Sequence, residues 1–262
     1  MTPPAERPSS DEGPLKAYED LDFLRSADAR IIRVISELLE PKYRLENQGI
    51  EDTIVFFGSS RIPRDVAQVD HPGLAALASY YDAARELAQR LTRWSIERPG
   101  ERQFVVCCGG GPGIMEAVNR GAAEAGGPSI GFGVSIPFEQ AINDYVPREL
   151  AFEFHYFFVR KFWFVYNAKS LVFFPGGFGT MDELMEVLTL VQTQKVRKKM
   201  GIVLYGKEYW RSVLNFDAMV AHGVISGADR ELVVAVDSVD DAFARICSFL
   251  EENYGPSLLE EE

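Results

Sequence analysis

A carboxylate set one step beyond a glycine-rich turn is the most pointed chemical feature of this 262-residue chain. The stretch reads Pro175-Gly176-Gly177-Phe178-Gly179-Thr180-Met181-Asp182-Glu183. Gly176, Gly177 and Gly179 permit positive φ and let a ligand approach the backbone closely. Thr180 can cap a helix and donate its hydroxyl. Free backbone N–H groups at a helix start, aligned with the helix dipole, select an anion, most often a phosphate. Glu183 would repel such an anion on direct contact. Its place in what reads as the first helical turn therefore points to a polar or catalytic contact beside the phosphate. The competing reading is that Glu183 and Glu186 only complement the helix dipole.

Three other stretches carry suitable chemistry. Arg160 and Lys161 are expected to begin a helix, 161–168, whose basic side chains can face the Gly177 loop or simply be solvated. Gly58-Ser59-Ser60-Arg61 puts small residues and a positive charge where α/β folds place ligand loops; a plain turn with a surface arginine is the alternative. Gly109-Gly110-Gly111-Pro112-Gly113-Ile114-Met115-Glu116-Ala117 is a second glycine loop opening a helix. It is not a dinucleotide fingerprint. The frame from Gly111 puts Glu116 at the third glycine, and the frame from Gly109 ends on Ile114. The next strand also lacks an acid for a ribose hydroxyl. Gly201 to Lys207 has P-loop spacing, but Glu208 replaces the Ser/Thr and the intervening residues read as a strand.

The elements that would position these loops alternate along the chain. Leu171-Val172-Phe173-Phe174 is purely apolar and reads as a strand buried on both faces. Leu184, Met185, Val187, Leu188 and Val191 follow at helical spacing. Further strands are expected at 53–57, 103–108, 129–134, 201–205 and 232–236. Helices are expected at about 73–95, with Arg90 and Arg93 in its last turn, around Tyr209 to Leu214, and at 239–253 after an Asp237-Ser238 cap. This is an α/β chain: a Rossmann-like, doubly wound, mostly parallel sheet with helices on both faces. Aromatic residues from Phe152 to Phe158 alternate ahead of Arg160, and Phe138 to Val146 reads as a polar loop. Residues 1–50 form a disordered tail and an N-terminal helical extension, with one or two helices between Leu15 and Leu39 stopping before Pro41. Residues 51–255 are the main domain and 256–262 an acidic tail.

Bulk properties narrow the partners. A net charge of −12 argues against a nucleic-acid polymer or an anionic membrane. Three cysteines, two of them adjacent (Cys107, Cys108), suggest no disulfide framework and a reducing compartment. The three histidines (His71, His155, His222) are scattered, so no metal site is expected. The Pro- and acid-rich start is neither signal peptide nor anchor. The protein is expected to be soluble and cytoplasmic.

Taken together, the motifs resemble those of the LOG ("Lonely guy") family of cytokinin riboside 5′-monophosphate phosphoribohydrolases. PGGFGTMDE at 175–183 is similar to that family's PGGxGTxxE. Arg160-Lys161 matches its Arg-Lys, and GGGPGIMEA at 109–117 and GSSR at 58–61 match its other two loops in order. The resemblance covers roughly residues 51–220. The chain looks like a long bacterial form formerly labelled lysine decarboxylase-like. Lys169 stands where shorter members carry an aspartate.

The resemblance implies hydrolysis of the N-glycosidic bond of a nucleoside 5′-monophosphate, AMP or a cytokinin riboside monophosphate. Glu183 would be the catalytic carboxylate, with Arg160 anchoring the phosphate or ribose and orienting it. Gly176, Gly177, Gly179 and Thr180 would hold the phosphate. Gly110, Gly111, Gly113, Met115, Ser59 and Arg61 would line the base and ribose side, with Lys161 and Glu186 as further contacts. Phe157, Phe158, Phe162 and Trp163 could offer apolar surface to a substituted base. The family also implies a homodimer or larger homo-oligomer and no cofactor. A pyridoxal-type decarboxylase would need a Schiff-base lysine, and none stands out. The alternative is a carrier that binds a nucleotide or a phosphorylated, molybdopterin-type cofactor without turnover.

Overall fold

The computed structural model describes residues 14–65, 67, 71–98, 104–135 and 141–255. The expectations for the N-terminal tail, for Gln103, for Phe138 to Gln140 and for the acidic C-terminal tail lie outside these residues.

The chain runs α1 (Leu21–Arg25), α2 (Arg30–Asn47), β1 (Asp52–Phe57), α3 (Pro72–Leu77), α4 (Ser79–Glu97), β2 (Phe104–Cys108), α5 (Ile114–Glu124) and β3 (Ser129–Val134). It continues with β4 (Ala151–Phe154), α6 (Phe157–Tyr166), β5 (Ala168–Phe173), α7 (Phe178–Gln192), β6 (Gly201–Tyr205), α8 (Lys207–Val213), α9 (Phe216–Ala221), α10 (Gly227–Arg230), β7 (Val234–Val236) and α11 (Val239–Tyr254). The seven strands form one sheet in the order β4-β3-β2-β1-β5-β6-β7, and every neighbouring pair is parallel.

Both faces of the sheet are covered, and this is why its strands read as apolar runs. Alternate residues of β1 go to opposite cores. Ile54 and Phe56 meet α4, α5 and α11 through residues such as Leu87, Val118 and Leu250. Val55 and Phe57 meet α2, α6, α7 and α8 through Leu45, Phe164, Leu184 and Trp210. Each such side chain contributes about 1.5–3 kcal/mol of burial. Strand order reverses at β1, whose neighbours are β2 on one side and β5 on the other. The loops leaving β1 and β5 therefore diverge to opposite faces and open a crevice at the carboxyl edge of the sheet, where ligands bind in such folds.

Several boundaries differ from those read in the sequence. Pro41 does not stop the N-terminal helix but lies inside α2. A proline removes the hydrogen bond to the carbonyl four residues back. Here that carbonyl, Glu37 O, accepts the Trp163 indole N–H at 3.1 Å instead. The expected 73–95 helix is two helices, and it extends to Glu97, so Arg90 and Arg93 are not in its last turn. α6 starts at Phe157 and ends at Tyr166, earlier at both ends than expected, because β5 already begins at Ala168. The alternating aromatic run thus divides between β4 and α6. The last strand starts at Val234, two residues later than expected. Ser238 does cap α11, accepting from Asp241 N, whereas Asp237 accepts from Lys207 N across the sheet edge. Gly201 to Tyr205 is strand β6, which removes the P-loop frame.

The N-terminal extension packs on its own chain. Arg44 of α2 donates to the carbonyls of Arg148, Glu149 and Ala151, and its guanidinium lies 4.0 Å from the Phe152 ring centroid. The Glu37 carboxylate accepts from His155 N and Tyr156 N just ahead of α6. All three cysteines are free and buried. Among the described residues no helix is long and apolar enough to cross a membrane.

Candidate functional site

The crevice at the strand-order reversal is a cavity of about 1040 Å³. The loops after β1 and β5 are stitched together at its floor, with Phe174 N donating to Phe57 O at 2.8 Å and Ser59 N to Pro175 O at 3.0 Å. The loop after β2 joins them through Ile114 N, which donates to Ser59 O at 3.1 Å. Three loops distant in sequence thus become one surface because their strands are adjacent.

The Gly176–Thr180 turn lines this cavity. None of its glycines has positive φ, so the backbone conformation alone does not require them. A Cβ on Gly176 would collide with the Thr180 side chain, while Gly177 and Gly179 face open space. Helix α7 starts at Phe178 with Gly177 as its cap residue and no side-chain cap bond, so Thr180 is the third helical residue and does not cap. Glu183 accordingly falls in the second turn, not the first. That one-turn offset lets the first-turn N–H groups meet an anion while the carboxylate lies deeper. Tyr209 of α8 fixes the turn from outside, its hydroxyl donating to Gly176 O at 2.6 Å.

Glu183 is only 3% exposed. Burial pushes its carboxyl up to about 7, against the pull of Arg160 and Lys161. Arg160 Nη2 approaches Glu183 Oε1 at 3.8 Å, longer than a hydrogen bond. Glu183 Oε2 and Arg160 Nε have no hydrogen-bond partner. Burial lowers the pKa of Arg160, opposed by Glu183, Asp182 and Glu153. Its guanidinium carbon is held 5.2 Å from the Phe157 ring centroid and 5.5 Å from that of Phe164. A buried carboxyl and a largely buried guanidinium, each with an unpartnered polar atom, form an arrangement typical of catalytic or ligand sites.

The remaining sequence candidates divide. Ser59, Arg61 and Met115 line the cavity with Arg160, Gly176, Gly177, Gly179, Thr180 and Glu183. Lys161 does not: its ammonium lies 2.7 Å from Asp182 Oδ2 and 2.8 Å from Glu186 Oε2, bracing α6 against α7. Glu186 is likewise engaged with Lys161 rather than lining the cavity. Of the glycine loop after β2, Gly109 lines the cavity, whereas Gly110 and Gly111 sit behind it with their carbonyls accepting from Asn143 Nδ2 at 2.8 and 3.1 Å. Gly113 lines a neighbouring cavity instead. Tyr209 and Asn143 had no signal in the sequence, because each acts through a backbone carbonyl more than thirty residues away. Among the described residues no lysine lines the cavity. No cluster of three or more His, Cys, Asp or Glu is placed to hold a metal among the same residues.

The Glu183 carboxylate and the Arg160 guanidinium thus lie beside a helix-start turn at the sheet's switch point, where α/β folds place their ligand crevices. A family model described as "Possible lysine decarboxylase" matches residues 115–246. The protein named "Probable cytokinin riboside 5′-monophosphate phosphoribohydrolase LOGL5" from Oryza sativa subsp. japonica is 31% identical over 180 residues, covering 64% of this chain and 65% of the relative. Cytokinin riboside 5′-monophosphate phosphoribohydrolase LOG3 from Arabidopsis thaliana is 30% identical over 190 residues, covering 68% of this chain and 77% of the relative. The match thus leaves about a third of the rice protein's length outside it. Among solved structures, the molybdenum cofactor binding protein from Rippkaea orientalis aligns with a TM-score of 0.49 at 18% identity, over 76% of this chain and 98% of that one. The Moco carrier protein from Chlamydomonas reinhardtii aligns with a TM-score of 0.48 at 21% identity, over 77% and 99%. The chain belongs to the LOG family.

Proposed function

We propose that this protein hydrolyses the N-glycosidic bond of a nucleoside 5′-monophosphate to free base and ribose 5-phosphate. The observation that carries the reading is Glu183: a carboxylate 3% exposed, with an unpartnered oxygen, one helical turn beyond open N–H groups suited to a phosphate. The names of the relatives, phosphoribohydrolases acting on cytokinin riboside monophosphates, support it.

In this mechanism the Gly177–Gly179 amides and the Thr180 hydroxyl hold the 5′-phosphate. The bond from ribose C1′ to the base nitrogen breaks, and its electron pair leaves with the base. Positive charge builds on the ribose ring, as in glycoside hydrolysis. The ionised Glu183 stabilises that charge from a fixed position in a water-poor site. A water adds its oxygen to C1′, gives a proton to Glu183, and Glu183 passes it to the departing base. Arg160 meets the phosphate or ribose and favours the ionised form of Glu183 against the effect of burial. Met185, Val213 and Leu214 supply apolar wall for the base, with AMP and prenylated AMP as the candidate substrates.

The test is chromatographic detection of free base after incubation with AMP, other nucleoside monophosphates and prenylated AMP, beside Glu183→Gln. Release by the wild type alone is expected. Saturable binding with no release from any of them would replace this reading with that of a carrier for a nucleotide or a phosphorylated pterin-type cofactor.

The proposal extends to self-association. Ile31, Ile35, Leu39 and Tyr43 of α2 are exposed at four-residue steps, as are Phe158, Phe162 and Tyr166 of α6. Helix α6 also carries Arg160, so a homo-oligomer formed through this face would place subunit contacts next to the site.

A further inference from the structure

A second cavity, of about 900 Å³, lies on the other side of the loop after β1. Ser60 and Arg61 line both cavities, so their backbone is a shared wall. The charges in the second cavity are unevenly committed. Its acids are already engaged: Asp65 Oδ1 accepts from Ala67 N at 2.9 Å, and Glu116 Oε1 accepts the Tyr81 hydroxyl at 2.7 Å. Its arginines, Arg61 and Arg64, form no ion pair among the described residues. In a chain of net charge −12, two guanidiniums three residues apart on one cavity wall, without an ion pair among the described residues, suit an anion. His71 adds a ring whose Nδ1 accepts from Gly73 N, leaving Nε2 for another partner. Pro63, Leu74 and Pro112 make the remaining wall apolar. The volume exceeds what a bare phosphate needs and suits a molecule of nucleotide or sugar-phosphate size.

We propose that this cavity binds a second phosphate-bearing small molecule, held by Arg61 and Arg64, and that its occupancy is coupled to the first site through the Ser60–Arg61 wall. The wall is stiff enough to carry that coupling. Gly113, at φ +68°, packs so closely that a Cβ there would come within 2.5 Å of Ser59 O and 2.7 Å of Ser60 O. A shift of the loop after β1 must therefore move the start of α5 with it. Where the two ligands favour the same position of the wall, each raises the other's affinity by the same factor.

The test uses the full chain and pyrophosphate as probe, followed by equilibrium dialysis, with Arg64→Glu and Gly177→Asp as variants. Two classes of pyrophosphate site are expected in the wild type. Arg64→Glu should remove one by at least about tenfold in affinity while leaving base release intact when pyrophosphate is absent. Gly177→Asp should remove the other. Leu74→Trp, which fills the second cavity without altering charge, should reproduce the Arg64→Glu loss and guards against a merely unfolded variant. A single class of site untouched by Arg64→Glu and Leu74→Trp would overturn the proposal. A single class removed by those two but not by Gly177→Asp would support it, and would sink the phosphate-turn reading of the first site instead.

Discussion

Arg160 and Glu183 face each other at 3.8 Å across the base of the cavity, close enough to attract but too far to hydrogen-bond. A pair this buried normally closes to satisfy both partners, since an uncompensated charge in low dielectric is costly. Here Nε of one and Oε2 of the other stay unsatisfied. At that separation each group keeps polar capacity that the other does not use. Burial also holds the carboxyl proton more tightly than usual, raising the pKa of Glu183 to about 7.

That pKa makes a stability prediction with a definite sign. The folded state prefers protonated Glu183, and an unfolded carboxylate titrates near 4.5. The fold therefore binds the extra proton between about 4.5 and about 7, and stability falls as pH rises through that window. Above it Glu183 costs the fold up to roughly 3 kcal/mol. Glu183→Gln should be more stable than wild type at pH above the window and equal to it at pH below. Thermal denaturation across the range checks this, and a variant less stable at alkaline pH would contradict it. Base release should rise about tenfold per pH unit below the same point and level off above it, because the mechanism needs the carboxylate.

Lys161 is expected to act through position rather than contact. Its ammonium joins Asp182 and Glu186, which flank Glu183 on α7, to the helix that carries Arg160. Lys161→Met should leave the fold standing and KM for the nucleotide within about twofold, while kcat falls roughly tenfold, the equivalent of about 1.4 kcal/mol. Lys161→Arg should restore most of it. A large rise in KM with kcat unchanged would instead make Lys161 a ligand contact.

Gly113 gives the sharpest backbone prediction. Its φ is +68°, and a Cβ would press on the Ser59 and Ser60 backbone. Gly113→Ala should cost about 1–3 kcal/mol from conformation alone and more from displacing the loop after β1. Chemical denaturation measures the loss, and a variant within experimental error of wild type would show that the two loops are less tightly joined than this geometry requires.

The extent to which these features could be read in advance follows from their physics. Strands buried on both faces leave an unbroken apolar signature, so Gly201 to Tyr205 and the core of β5 were legible, as was the parallel α/β class, although β5 begins three residues before Leu171 and ends at Phe173, one short of Phe174. The glycine turn that opens α7 was legible because glycine spacing before a helical pattern is a local signal. What failed was local in appearance but tertiary in cause. Pro41 looks like a helix stop until Trp163 takes over the orphaned Glu37 carbonyl. Lys161 looks like Arg160's equal, yet neighbours on one helix point in different directions, and one enters the cavity while the other braces its outside. Lys169 departs from the shorter family members and is answered by Asp52, 3.2 Å away on β1. That pairing became visible only when the sheet placed β1 beside β5.

The α2 face offers a test of assembly separable from the chemistry. Ile31, at 72% exposure, and Leu39, at 59%, lie on a stripe of apolar side chains with no cover in a single chain. Contiguous exposed apolar surface of this kind marks an interaction site. The core-facing side of α2 stays anchored through Arg44 and Glu37, so substitutions on the outer stripe need not disturb the fold. Ile35→Glu with Leu39→Glu should lower the mass measured by light scattering to that of a single chain, without shifting the thermal midpoint of dilute protein downward. If α6 completes the same interface, base release should become concentration-dependent in the variant, because Arg160 sits on that helix. An unchanged mass would remove α2 from the interface and leave the α6 stripe, tested by Phe162→Glu, to account for any assembly.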